Sequence, residues 1–324
     1  MKPILMLCLC LCLCGCTVNA SENDSPSLLP EATPIVVPDM PSGVTADSDG
    51  QPVLDVYVVS QNELLRMTVE EYLEGVVAGE MKNDWPLEAL RAQAILARTF
   101  VMRFISEKDS IYPGADISTD ISEAQAYDES SVNERVQEAV RSTAGLVLST
   151  ANGELPYAWF HAHSGGMTEL AREGLGWDKT EPAWTKRTAG HDSPNAPKEA
   201  SVWEASFTKS EMMEACRQLG AHPDRITDVA VAETSESGRA VTISVGGVEV
   251  SAAELRMALG STKMRSTLLT SLRLQDGKIH MSGKGYGHGV GMPQWGAYAL
   301  AEDGLTGEEI AAYYFDGLHV AQMW

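Results

Sequence analysis

Residues 68–81 read TVEEYLEGVVAGEM, and the apolar positions Val69, Tyr72, Leu73, Val76 and Val77 recur with helical spacing. Thr68 followed by Glu71 three residues on predicts a capping box at the start of this helix. Continuing the apolar stripe by four residues from Val76 lands on Glu80, an acid on the packing face beside the small Ala78 and Gly79. Glu70, Glu71 and Glu74 fall off the stripe, where solvated acids belong. Asn83, Asp84, Trp85 and Pro86 end the helix and open a second over 87–105, since proline is tolerated in a first turn. The second helix carries Ala89, Ala92, Ala94 and Ala97, so a neighbour must pack close to it. Gln93 lies among them and its amide needs partners if buried. The pattern further predicts a strand at 53–59, a helix at 133–144, strands at 146–148 and 158–160, and a loop-rich stretch at 165–198. Helices follow at 209–219 and 252–259, and strands at 227–231, 241–245, 268–274 and 278–281. Pro293 opens a last helix through Gln294, Trp295 and Tyr298. With no internal repeat and no linker inside the body, the expected class is α+β, a mixed α and β globular body with a groove.

The two ends of this pattern differ from the middle. Residues 1–16 are a lysine, a short apolar run and Leu13-Cys14-Gly15-Cys16, too short to span a bilayer and read as a signal peptide. Its ending is that of a lipoprotein signal, which makes Cys16 the lipidated residue; an ordinary secretory signal is the alternative. Either places the protein outside the cytoplasm, and the first places it on the outer face of the cell membrane through a lipid anchor. Residues 17–51 are rich in Ser, Pro, Asp and Glu and are expected to form a disordered tether, leaving 52–324 as the folded domain. Five of the six cysteines lie in the signal, so Cys216 alone remains in the body, expected as a buried small residue on a helix. No disulfide framework or cysteine metal site is expected. The formal net charge of −21, without a basic patch, argues against a nucleic-acid partner.

Three segments carry candidate chemistry. A carboxyl withdrawn from water holds its proton nearer neutral pH, which is what a general acid needs, so Glu80 is the first candidate. The competing reading is a buried ion pair with Arg91 or Arg98. In residues 283–292 glycine occupies positions 283, 285, 287, 289 and 291, leaving Lys284, Tyr286, His288, Val290 and Met292 on the other face of an extended chain. A bare glycine face suits a polymer laid against the backbone; a tight packing seam or a chain of turns is the alternative. Neither G-x-G-x-x-G nor G-K-[ST] occurs here, so this is no phosphate loop. The third segment, YAWFHAHSGGMTE at 157–169, puts His161 and His163 on one face of a strand. Two histidines do not make a zinc site unless His191 or His288 joins them, and hydrogen bonding or substrate contact is the other reading. No metal or cofactor is expected. The G-x-S-x-G of serine hydrolases is absent, leaving Ser164 in a turn.

Together the blocks EEYLEGVVAGEMKNDWPLEALRAQAILARTF, ADISTDISEAQAY, FHAHSGGMTE and GYGHGVGMPQWGAYALAEDG with YYFDG resemble the stage II sporulation protein D, or amidase-enhancer, family. The resemblance runs in order from about residue 53 to the end. It implies a lytic transglycosylase acting on peptidoglycan glycan strands already stripped of stem peptides by a partner amidase, cleaving the MurNAc–GlcNAc bond with a 1,6-anhydro product in sporulation or wall remodelling. The family's catalytic glutamate matches Glu80, the position that the helical stripe singles out independently. Motif membership assigns His161, Ser164, Lys284, Tyr286, His288 and Gln294 to substrate contact or support, and Gln93 and Arg98 to orienting or tuning Glu80. Pro293 and Trp295 depart from the family's usual Ser and Tyr, and a cysteine-containing zinc site attributed to some relatives has no cysteine here to carry it. The rival function is a non-catalytic glycan-binding protein that enhances an N-acetylmuramoyl-L-alanine amidase; an amidase or peptidase lacks a recognisable metal site or nucleophile.

Overall fold

The structure, a computed structural model, describes residues 36–324; the expected signal peptide, the expected lipidation residue Cys16 and the first half of the expected tether lie outside the described residues. Within them the chain is α+β. The expected tether ends earlier than residue 51. Pro38 and Pro41 are buried, and β1 (Thr45–Ala46) pairs with the first long strand, β2 (Pro52–Val58). Proline and acidic residues gave this stretch a disordered composition, yet Met40 and Val44 are apolar enough to pack against the core.

β2 pairs antiparallel with β3 (Glu63–Thr68), which the apolar pattern did not signal because Leu64 and Leu65 are adjacent instead of alternating. α1 (Val69–Glu80) follows without a break, started by the expected capping box: Thr68 Oγ1 accepts from the Glu71 amide at 3.2 Å and Glu71 Oε2 accepts from the Thr68 amide at 2.7 Å. α2 (Leu87–Glu107) is buried on nearly every side and forms the centre of the main core. β4 (Ile117–Ser118) adds parallel to β2, and α3 (Glu134–Ser142) packs on α1 and α2. β5 (Leu146–Ser149) and the short β6 (Phe160–His161) lead into a loop region containing α4 (Ala171–Leu175) and α5 (Lys198–Ser201).

A second core then interrupts the first. β7 (Val202–Thr208), α6 (Lys209–Gln218), β8 (Val229–Thr234), β9 (Ala240–Val245), β10 (Val248–Ser251), α7 (Ala252–Ala258), β11 (Leu269–Gln275) and β12 (Lys278–Lys284) enclose their own cluster of Phe207, Met212, Ile243, Leu255 and Met281. Two antiparallel sheets, β10-β9-β8 and β11-β12-β7, make up this insertion. Cys216 is buried on α6 as expected, and burial pushes its thiol pKa up. The chain returns to the main core through β13 (Met292–Pro293), parallel to β6, then α8 (Gln294–Glu302), α9 (Gly307–Tyr313) and β14 (His319–Gln322), antiparallel to β5. The close neighbour that the alanine face of α2 demands is the start of α9. A Cβ placed on Gly307 would lie 2.5 Å from Arg91 Cβ and 3.1 Å from the Ala92 nitrogen.

Candidate active site

Glu80 is the last residue of α1 and lines a cleft of about 450 Å³. The helix leaves its final carbonyls, the negative end of its dipole, beside this carboxyl. Burial raises the carboxyl's pKa above the usual 4.5, and the Ala126 amide and the Gln294 side chain oppose the shift. Glu80 Oε1 accepts from the Ala126 N–H at 2.8 Å, and Gln294 Nε2 donates to the Glu80 main-chain oxygen at 3.0 Å. No cation forms an ion pair with Glu80 among the described residues. Arg91 pairs with Glu88 at 2.5 Å, and Arg98 pairs with Glu70 at 2.5 Å. The ion-pair reading of Glu80 is therefore overturned.

What brings Ala126 to Glu80 is a bare stripe on α1. Gly75 and Gly79, one helical turn apart, receive the 125–127 segment: Tyr127 covers Gly75, and a Cβ on Gly79 would sit 2.7 Å from the Tyr127 nitrogen and 2.8 Å from the Ala126 carbonyl carbon. The Asp128 amide also donates to the Gly75 oxygen at 2.9 Å. Gly79→Ala is expected to force this segment away and cost about 1–3 kcal/mol by overpacking. Losing the Ala126 bond, which holds the carboxyl pKa down, should move the Glu80 titration to higher pH. Urea unfolding and an NMR titration of the carboxyl check both effects.

The glycine comb is not extended. Gly285, Gly287, Gly289 and Gly291 all have positive φ, between 69° and 117°, so the chain turns at every second residue. Its bare side is filled by the protein's own chain. A Cβ on Gly287 would lie 2.5 Å from His161 Cβ, one on Gly289 2.6 Å from the Arg239 guanidinium carbon, and one on Gly291 would strike the Trp159 oxygen. This seam corrects the reading of the comb as a polymer-binding face. It interleaves with the 159–165 segment, where His163 and Tyr286 exchange main-chain bonds of 3.0 and 2.8 Å.

The seam fixes two neutral imidazoles in the cleft. His161 Nδ1 lies 3.1 Å from the Val290 carbonyl, which can only accept, so Nδ1 carries the hydrogen and the unpartnered Nε2 is a bare acceptor. His288 Nδ1 instead accepts from the Val290 amide at 3.0 Å, which leaves its hydrogen on Nε2, towards the Phe160 main chain. Burial pushes His288 down to about 3, helped by the charges of Arg256 and Arg239, and pushes His161 well below the usual 6.5, helped by His288 and Arg239. Both act as fixed hydrogen-bonding groups, not as cationic acids.

Of the expected site residues, the cleft thus gathers Glu80, His161, Tyr286, His288 and Gln294. Four others lie elsewhere. Arg98 is wholly buried against Glu70 and the Leu146 carbonyl, and so cannot tune Glu80. Gln93 is buried on α2 away from the cleft lining, and neither atom of its amide meets a partner. Ser164 is fully buried, its hydroxyl donating to Asp192 Oδ2 at 2.5 Å, which makes it a turn-stabilising residue and not a substrate contact. Lys284 is exposed and lines a separate depression with Lys198 and Arg265. Sequence reasoning missed Gln125, whose buried amide in the cleft has no partner, and Arg256, which reaches in from α7. It also missed Trp159, half-buried, stacked on Tyr157 with ring centroids 5.1 Å apart and meeting Trp177 edge to face at 5.4 Å. Trp159 was legible, since it shares the strand face of His161 in YAWFHAH; nothing in the sequence marks Arg256.

Residues 59–149, which contain Glu80 and its Ala126 clamp, match the family described as stage II sporulation protein. Stage II sporulation protein D of Bacillus subtilis (strain 168) is 29% identical over 287 residues, covering 83% of this chain and 79% of that protein. The chain carries a match to this family and is similar to stage II sporulation protein D over most of its length. The amidase enhancer of the same organism is 30% identical over 291 residues, 76% of this chain but 39% of that longer protein. An uncharacterized protein of Brachyspira hyodysenteriae (strain ATCC 49526 / WA1) is 28% identical over 256 residues, 78% of this chain and 67% of that one. Residues 186–291 match a second family, described as a domain of unknown function. That match spans the inserted core together with Tyr286 and His288, so the cleft of this stage II sporulation protein D relative is walled by both matched regions.

Proposed function

We propose that this protein is a peptidoglycan lytic transglycosylase that cleaves the MurNAc–GlcNAc bond of peptide-stripped glycan strands and leaves a 1,6-anhydroMurNAc end. The observation that carries this reading is the isolation of Glu80, whose raised carboxyl is, among the described residues, the only acidic side chain lining the cleft. Glycosidases that use water or a covalent intermediate need two carboxyl groups about 5–10 Å apart. One suffices when the sugar supplies its own nucleophile. Protonated Glu80 gives its proton to the glycosidic oxygen as the C1–O bond breaks. The carboxylate then takes the proton of the C6 hydroxyl as O6 closes on C1, which returns Glu80 to its acid form without consuming water. Trp159 lines the cleft and offers an aromatic surface against which a pyranose ring can lie, and the His161 Nε2 and Gln125 amide can bond sugar hydroxyl and acetamido groups. An amidase that first removes stem peptides would be the partner, as the name of the amidase enhancer relative suggests. The site of action would be the outer face of the membrane, to which the first sixteen residues would anchor the chain through Cys16.

Incubating the purified protein with strands from amidase-treated peptidoglycan, followed by mass spectrometry, tests this. Anhydro-ended fragments support the transglycosylase. Strands that are bound but remain intact would favour the second reading, a glycan-binding enhancer of an amidase, which the relative's name also supports. The acid must be protonated to act, so cleavage should decline on the alkaline side with an apparent pKa above the usual 4.5 of a glutamate. A pH–rate profile of fragment release reads this directly.

A further inference from the structure

Arg256 is, among the described residues, the one lysine or arginine that lines the Glu80 cleft. It projects from α7 in the inserted core and is 8% exposed. Its Nε donates to the Arg265 carbonyl at 3.1 Å and its Nη1 lies 3.6 Å from the Met257 sulfur. No carboxylate pairs with it among the described residues, whereas the buried guanidinium of Arg98 and the partly buried one of Arg187 meet Glu70 and Glu169 at 2.5 and 2.6 Å, and the buried Arg239, also without an ion pair, donates to the Ser164 carbonyl and feels the charges of Glu169 and Asp192. Burial pulls its pKa down, and the only group raising it is the Tyr286 phenol. A desolvated guanidinium without a counter-ion is costly. The cost is recovered when an anion enters the cleft and accepts the paired N–H groups that guanidinium presents.

The substrate class proposed above offers one anion at a fixed place. GlcNAc carries none. MurNAc carries a lactyl ether on C3 whose carboxyl is an uncharged amide while a stem peptide is attached, and hydrolysis of that amide leaves a carboxylate. We infer that Arg256 receives the free lactyl carboxylate of a peptide-stripped MurNAc and is the group by which the cleft distinguishes stripped strands from unstripped ones. This rests on the glycan-strand reading of the cleft but not on its chemistry. Arg256 lines the cleft with its Nε committed to the Arg265 carbonyl, so an amide at this position loses the ion pair and leaves the guanidinium buried and alone.

The test reads binding, with cutting disabled. The full-length chain carrying Glu80→Gln is titrated with amidase-stripped glycan strands, and with the same strands after their lactyl carboxylates have been converted to methylamides with carbodiimide and methylamine. The free-carboxylate strands should bind at least about tenfold more tightly, and less so as salt rises. Adding Arg256→Gln should abolish the preference, and Arg256→Lys should keep part of it. Equal binding of both strands by the Arg256 chain, or a preference that survives Arg256→Gln, would overturn the inference. If Arg256→Gln does not fold, as read by circular dichroism, the comparison of the two strands on the Arg256 chain decides alone. Because no bond is broken in this assay, a protein that proves not to cleave still gives a result. Conversely, a wild-type chain that cleaves both kinds of strand equally well would remove the role of Arg256 and leave the transglycosylase intact.

Discussion

Glu80→Gln is expected to lower formation of anhydro-ended fragments by at least about a thousand-fold, the upper part of the range for a general acid. Strand binding should change little. Gln is nearly isosteric, its Oε1 can still accept from Ala126, and the bond from Gln294 to the main-chain oxygen of residue 80 is unaffected. What is lost is a transferable proton. The variant should also be no less stable than the wild type near neutral pH. A carboxyl whose folded-state pKa is raised binds its proton more tightly folded than unfolded. Its contribution to stability is complete below the unfolded value of about 4.5 and is lost as pH rises through the raised value. Gln removes that loss, so the melting temperature of the variant should fall less than that of wild type across this window. Anhydro products from Glu80→Gln at wild-type rates would exclude Glu80 as the acid.

Arg98→Met should be among the most destabilising single changes in the protein, by about 3–5 kcal/mol, because it leaves the Glu70 carboxylate buried without its partner. Arg98 is entirely buried and joins three parts of the fold. Its Nε and Nη2 hold Glu70 of α1 at 3.0 and 2.5 Å, its Nη1 donates to the Leu146 carbonyl at 2.9 Å, and Glu70 in turn accepts from the Gly145 amide at 3.1 Å. Chemical denaturation measures the loss, and combining Arg98→Met with Glu70→Leu should recover much of it. The folded fraction of the single variant should keep the wild-type pH profile of cleavage. A displaced profile would mean that Arg98 tunes Glu80 after all.

These two residues mark what a sequence can and cannot disclose. Glu80 was legible because an acid on an apolar stripe breaks a local pattern. Motif membership assigns Arg98 and Gln93 to orienting or tuning it. Yet five residues of helix separate them by roughly 140° around the axis, so both cannot face one carboxyl. The capping boxes, α2 and most of the strands of the insertion follow from short-range signals that the fold preserves. The glycine comb does not, since its period of two fits a bare strand as well as a chain of turns, and only the 159–165 segment lying against it decides. The same holds for Arg256, an arginine on an ordinary amphipathic helix whose meaning depends on a cleft built by distant parts of the chain. The inserted core has no boundary signal, because its sheets and helices use the same residue patterns as the body around it.

The distance along the chain between the two walls of the cleft has a consequence for when the protein becomes active. Gln294 reaches Glu80 across 214 residues, and a separate core must close between them. Contacts of such separation form late because the intervening loop must be closed first. Until the inserted core has closed, Glu80 stands without Gln294 and without the far wall of the cleft around it. The activity proposed for this cleft would therefore wait on the folding of a core that contains none of the acid's own helix.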